Sequence, residues 1–107
     1  AEGNFSSEFM EKFHILIVDN IKSPKFSLEL LSEKLGISKR TLIRIVKNEI
    51  GITPNNYIKE VRLNIARDLF ESGQCKDIEE VSYNVGFSTV WYFEKLYRER
   101  FGTKWGS

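Results

Sequence analysis

The stretch Leu35-Gly36-Ile37-Ser38-Lys39-Arg40-Thr41-Leu42-Ile43-Arg44-Ile45-Val46-Lys47 reads as the end of one helix, a tight turn, a cap and a second helix. Gly36 tolerates the left-handed backbone that closes a helix, and Ser38 offers an oxygen to the free amides of the helix that follows. Beyond the cap, Leu42, Ile45, Val46 and Ile50 recur at helical spacing and form a face that packs inward. Arg40, Ile43, Arg44 and Lys47 fall at i, i+3, i+4 and i+7 on the other side, as one exposed and mostly cationic stripe.

The same arrangement occurs again. Upstream of Gly36, Ser27 caps a short helix with Leu28, Leu31 and Leu35 on its buried side. Shifted by fifty residues, Ser27 meets Asp77, Leu28 meets Ile78, Leu31 meets Val81 and Leu35 meets Val85. Gly36, Ile37 and Ser38 then meet Gly86, Phe87 and Ser88. After the cap the second copy is one residue longer, and the offset becomes fifty-one. Leu42 meets Phe93, Ile45 meets Leu96, Val46 meets Tyr97, Ile50 meets Phe101 and Gly51 meets Gly102. The outer stripes correspond as well: Arg40 with Trp91, Ile43 with Glu94, Arg44 with Lys95 and Lys47 with Arg98. Two helices joined by a short glycine turn, the second carrying cations outward, is the sequence form of a DNA-reading helix-turn-helix, and its internal repetition sets it apart from a chance match.

The rest of the chain frames these two units. Residues 1–5 are expected to form a flexible leader, or a remnant of expression, and a first helix is expected over 6–21 with Ser6 or Ser7 as cap. Its inward side is Phe9, Phe13, Leu16, Ile17 and Ile21. Ser23-Pro24 marks a break, because proline disfavours helix at the residue before it. Thr53-Pro54 opens the longest helix, over 54–72, with a buried stripe of Ile58, Val61, Ile65, Ala66, Leu69 and Phe70. At 1.5 Å per residue it is roughly 28 Å long. Asp77 with Glu80 three positions on forms a capping box for a helix ending near Val85, and the last helix is expected over 89–101 behind a Ser88 cap. No strand pattern appears. The expected fold is all-α: a first helix-turn-helix subdomain (6–53), a central linker helix (54–72) and a second subdomain (73–107) truncated at its C-terminal end, each a homeodomain-like three-helix unit.

Composition narrows the function. Of 107 residues, 41% are hydrophobic and 29% charged, enough for a core and too little glycine and proline for a fibrous or disordered chain. No apolar run approaches the ~20 residues that span a bilayer, so this segment is expected to make no membrane contact. One cysteine, Cys75, cannot form an internal disulfide and fits a reducing cytoplasm, so the expected location is cytoplasmic. The net charge of +1 is uninformative, but its distribution is not: residues 38–64 carry +4 and 88–107 carry +2, while 1–37 and 65–87 carry −2 and −3. Each positive segment begins at an outward-facing helix of the repeat. A single histidine, His14, and the distant Cys75 offer no metal site, catalytic set or cofactor-binding motif, so the expected catalytic, metal and cofactor assignments are none, and the protein is expected not to be an enzyme.

Two such motifs flanking a long helix resemble the DNA-binding domain of the AraC/XylS family of bacterial transcription regulators. The residues that carry the resemblance are Leu31, Gly36-Ile37-Ser38, Leu42, Lys47 and Gly51-Ile52-Thr53-Pro54, then Tyr57-Ile58, Val61-Arg62-Leu63, Ala66 and Leu69. The most diagnostic run is Ile78, Val81, Val85-Gly86-Phe87-Ser88, Tyr92-Phe93 and Phe101-Gly102. The resemblance implies that both units bind adjacent major-groove segments of an operator or promoter. It implies base-reading positions Arg40, Ile43 and Arg44 in the first unit, and Val90, Trp91, Glu94 and Lys95 in the second. Lys39, Lys47, Thr89 and Arg98 lie at the edges, where phosphate contact is the expectation. Arg62 is implied to be a structural residue of the central helix, and Tyr57, Tyr92 and Phe93 core positions. Further implied partners are RNA polymerase and a sensor, receiver or ligand-binding domain elsewhere in the protein. The segment around Asn20-Ile21, Pro24 and Phe26-Ser27, with Arg44-Ile45-Val46-Lys47, is similar to regulator modules at the ends of hybrid two-component sensors. The chain departs from the family in Trp91 and Glu94, and in lacking proline after Gly102. The rival reading is a helix-turn-helix-like protein-interaction module that uses exposed Trp91 and Ile43 and binds DNA weakly or not at all.

Overall fold

The computed structural model describes residues 2–23 and 26–106, with side chains from Glu8 onward. Six helices follow in order: α1 (Glu2–Asp19), α2 (Leu28–Leu35), α3 (Lys39–Ile50), α4 (Pro54–Glu71), α5 (Ile78–Asn84) and α6 (Val90–Phe101). No strand is present among the described residues. The chain divides into two compact units, Ala1–Lys59 and Glu60–Ser107, with the division inside α4.

In the first unit α1 packs on α2 and α2 on α3. The core holds Phe13, Ile17, Leu31, Leu42 and Val46, all fully buried, with Ile21 and Ile58 nearly so. Tyr57, half-buried on the first turn of α4, stacks on Phe13 at 5.7 Å and its hydroxyl is hydrogen-bonded to His14 Nδ1 at 2.9 Å. His14 therefore has a structural partner, and burial raises the Tyr57 phenol above its ordinary pKa. The Asn56 amide donates to Thr53 Oγ1 at 3.2 Å, and Pro54 is buried at the first helical position, where its missing N–H costs nothing.

Two expectations shift here, and a third falls outside the described residues. α1 begins at Glu2, not at a Ser6 or Ser7 cap, and ends at Asp19; the side chains of Ser6 and Ser7 lie outside the described residues. Extending an existing helix costs far less than nucleating one, and no proline interrupts residues 2–8. The α1 terminus is closed by Asn20, whose Nδ2 donates to Leu16 O at 2.8 Å. The break expected at Pro24 lies outside the described residues. Ile50, assigned to the inward face, is exposed, because the chain turns at Gly51 directly after it.

The second unit packs α5 on α6 and encloses Leu63, Ala66, Cys75, Val81, Val85, Phe87, Phe93, Tyr97 and Trp105. Aromatic contacts run through it: Phe87 to Phe93 at 5.3 Å, Phe93 to Tyr97 at 5.8 Å, Phe93 to Trp105 at 6.2 Å and Tyr97 to Phe101 at 4.6 Å. Cys75 is an ordinary small core residue, its thiol directed at Asp77 O at 3.7 Å. Arg62 is half-buried with its guanidinium 5.8 Å from the Phe87 ring centroid, and burial lowers its pKa, in keeping with a structural role. On the outer side, Arg100 Nε donates to both Glu60 oxygens at 2.8 Å and ties α6 to α4, holding the Glu60 carboxyl below the ordinary Glu range.

Trp105 is the feature that the sequence pattern does not announce. It lies beyond the last helix, yet it is 7% exposed, meets Phe70 edge-on at 5.1 Å and donates its indole N–H to Ala66 O at 2.8 Å. The tail after Gly102 thus returns to α4 and closes the second core. Trp105→Ala is expected to destabilise this unit by about 3–5 kcal/mol, the usual cost of truncating a buried aromatic. Trp105→Phe, which keeps most of the volume and loses the indole hydrogen bond, is expected to cost about 0.5–1.5 kcal/mol. Urea unfolding followed by far-ultraviolet circular dichroism measures both.

Candidate nucleic-acid interface

Each turn is built from the same hydrogen bonds. In the first, Gly36 N donates to Glu33 O at 3.1 Å and Ile37 N to Ser32 O at 3.0 Å. In the second, Gly86 N donates to Tyr83 O and Phe87 N to Ser82 O, both at 3.0 Å, fifty residues on in every case. Both glycines have positive φ, +72° at Gly36 and +91° at Gly86, a conformation that side-chain-bearing residues rarely adopt. Ser32 and Ser82 occupy equivalent buried positions.

The extra residue of the second copy lies between Phe87 and the cap. Ser38 Oγ accepts from the Thr41 amide at 3.1 Å, but in the second unit the cap is Thr89, whose Oγ1 accepts from the Tyr92 amide at 3.1 Å. The expected Ser88 cap is therefore replaced by its neighbour, and α6 begins at Val90. Both residues can cap; the longer turn puts Thr89 at the position with extended backbone, φ −139° and ψ 149°. Thr89 Oγ1 acts as an acceptor in this cap, which leaves its hydroxyl proton for other contacts.

α3 buries Leu42 and Val46 and turns Arg40, Arg44 and Lys47 to solvent, with Ile43 half-buried between them. Arg40, Thr41, Ile43 and Arg44 line one open depression on this face. Arg40, Arg44 and Lys47 make no ion pair among the described residues. Lys39 does: its Nζ lies 2.9 Å from Glu29 Oε1 on α2, and this hydrogen bond holds the Glu29 carboxyl below its ordinary pKa. Neither helical periodicity nor cap rules would have found that pair.

α6 buries Phe93 and Tyr97 and presents a different surface. Trp91 is 70% exposed, and Lys95 Nζ sits 5.6 Å from its ring centroid, a cation–π contact. Val90 and Glu94 are half-buried, and Arg98 is exposed. Arg100, counted with the positive segment, is committed to Glu60. The first unit thus offers a cationic face of Arg40, Arg44 and Lys47, unpaired among the described residues, whereas the second offers an indole, one lysine held over it, a carboxylate and Arg98. Tyr92, assigned to the core, is half-buried and meets the Phe87 ring edge-on at 6.0 Å.

Among the described residues no group of three His, Cys, Asp or Glu side chains could hold a metal ion. No helix there is long and apolar enough to cross a membrane.

Comparison with known proteins places this architecture. Residues 31–105 match a family model described as a helix-turn-helix domain. The chain is 32% identical over 98 residues to histidine kinase P4 of Formosa agariphila, covering 92% of this chain and 7% of that protein. It is 33% identical over 73 residues to the HTH-type transcriptional activator RhaS of Escherichia coli O139:H28, covering 68% of this chain and 26% of that one. The crystal structure of an AraC-type DNA-binding-domain-containing regulator from Chromobacterium violaceum superposes with a TM-score of 0.81 at 31% identity, over 94% of this chain and 88% of that one. The chain spans well under two thirds of the curated relatives it matches. With tandem turns of the same construction and a match covering α3 to Trp105, the chain belongs to the AraC-type family of helix-turn-helix DNA-binding domains.

Proposed function

We propose that this segment binds double-stranded DNA sequence-specifically as the output domain of a bacterial transcription regulator, with α3 and α6 entering adjacent major-groove segments. The observation that carries the reading is the α3 face: Arg40, Arg44 and Lys47 stand exposed opposite the buried Leu42 and Val46, with no acidic partner among the described residues. Arginine pairs bidentately with guanine O6 and N7, and Ile43 between the two arginines suits a thymine methyl. In α6, Val90 and Trp91 supply apolar contact, Glu94 can accept from cytosine N4, and Lys95 can reach a guanine edge once it leaves the indole. Lys47, Arg98 and the Thr89 hydroxyl serve phosphates, as does Lys39 when released from Glu29. The role is binding rather than catalysis. α4 acts as the linker between the reading units.

Likeness to a small part of a histidine kinase supports a place in a two-component system, in the cytoplasm, with the signal-receiving domain elsewhere in the protein. RNA polymerase is the partner that an activating output domain requires.

A second reading, a protein-interaction module, draws on the exposure of Trp91, Ile50 and Ile52. Salt separates the two. DNA binding through about four to six phosphate contacts weakens steeply with rising salt, whereas a hydrophobic protein interface does not.

Arg44→Ala is expected to leave the fold intact and to abolish sequence preference at the base that Arg44 reads, costing about 1–3 kcal/mol on the preferred duplex. Footprinting unchanged from the parent protein would remove α3 as the reader. A second test uses the two tryptophans. Iodide should quench the exposed Trp91 and spare the buried Trp105, and saturating duplex DNA should abolish the accessible component. Persistent quenching in the complex would place Trp91 outside the interface.

A further inference from the structure

Glu29 occupies the first turn of α2, and Lys39 is the first residue of α3, so their 2.9 Å contact bridges the two helices of the first helix-turn-helix across its turn. Both side chains remain largely exposed, 51% for Lys39 and 69% for Glu29, so the contact is neither buried nor forced by packing. An exposed pair of this kind contributes little to stability. Its consequence lies in the charge presented at the start of the reading helix. The N-terminus of a helix in this motif is where backbone amides and a first-turn cation meet phosphate. Here that cation is already neutralised by a carboxylate, while Arg40, Arg44 and Lys47 on the same helix have no such partner among the described residues.

We propose that Glu29 limits the sequence-independent DNA affinity of the first unit: it holds Lys39 away from the DNA backbone, so that the unit gains little from phosphate at the start of α3. The inference rests on the reading of α3 as a DNA-contacting helix. A lysine contact to phosphate contributes to every sequence equally and raises non-specific affinity as much as specific affinity. Closing Lys39 into a pair with Glu29 imposes a cost on that contact, since the pair must open and the carboxylate then faces the phosphate uncompensated. The cost is the same on a preferred and on a random duplex, so the pair lowers affinity for DNA as such and leaves the ratio between the two unchanged. Glu29 also lies at the positive end of the α2 dipole, where a carboxylate favours the helix. That role affects stability and leaves the salt dependence of DNA binding unchanged.

The test is a double-mutant cycle of Glu29→Gln and Lys39→Gln, with affinities measured by fluorescence anisotropy on a random-sequence duplex and a selected duplex across a salt series. Glu29→Gln should steepen the dependence of log affinity on log salt by about 0.9, the contribution of one added phosphate contact. Between about 200 and 50 mM salt this is roughly threefold additional affinity, gained equally on the selected and the random duplex. In the Lys39→Gln background, Glu29→Gln should leave the slope unchanged. An equal effect of Glu29→Gln with and without Lys39 would reduce Glu29 to a general repulsive charge and overturn the proposal, as would an unchanged slope in the single variant. If the parent protein binds no duplex at all, the DNA reading itself fails; if it binds and Arg44→Ala still weakens it while Glu29→Gln is indifferent, only this inference fails. Circular dichroism of each variant checks that the fold is retained.

Discussion

Everything functional in this chain depends on the burial of one apolar seam on each reading helix. α3 is fixed by Leu42 and Val46 and α6 by Phe93 and Tyr97, all of them buried. Packing those side chains fixes the rotation of the helix about its own axis, and a rotation of one residue would swap a core position for a cation. The exposed face is therefore as well defined as the core. Glycine turns set the direction in which each helix leaves, and identical backbone hydrogen bonds at Gly36 and Gly86 give both units the same entry.

Built on that common frame, the two units diverge in what they present. The first keeps an arginine-rich surface suited to guanine edges and phosphates. The second replaces the equivalent of Arg40 with Trp91 and the equivalent of Ile43 with Glu94, and lays Lys95 over the indole. Its positive segment is also weaker as an electrostatic surface than its count suggests, because Arg100 is spent on Glu60. Phosphate attraction should thus come chiefly from the first unit, and the second should contribute shape and apolar contact.

Much of this was legible in the sequence, because helix periodicity, capping and glycine turns are local signals. The repeat, the inward seams and the Asp77 cap follow from residues a few positions apart. What the pattern did not contain is tertiary. Trp105 lies outside any helix, and only the folded chain brings its indole to Ala66 O. The second cap moved from Ser88 to Thr89 because two adjacent residues can each cap and the turn length decides between them. Ile50 keeps the helical spacing of a core residue, yet it sits where the chain turns away at Gly51. The pairs Lys39–Glu29 and Arg100–Glu60 join residues ten and forty positions apart, and both alter which of the counted charges are free to act.

The central claim is that one chain carries two reading helices of unequal character. Selection of bound sequences from a random duplex pool, using this segment alone, tests it most directly. The account predicts a bipartite motif, two blocks separated by about one helical turn, or 10–10.5 base pairs. The block matched to α3 should be the stronger and contain guanine, and it should lose definition in Arg44→Ala. A single block, or a pool that emerges unenriched, would contradict the account.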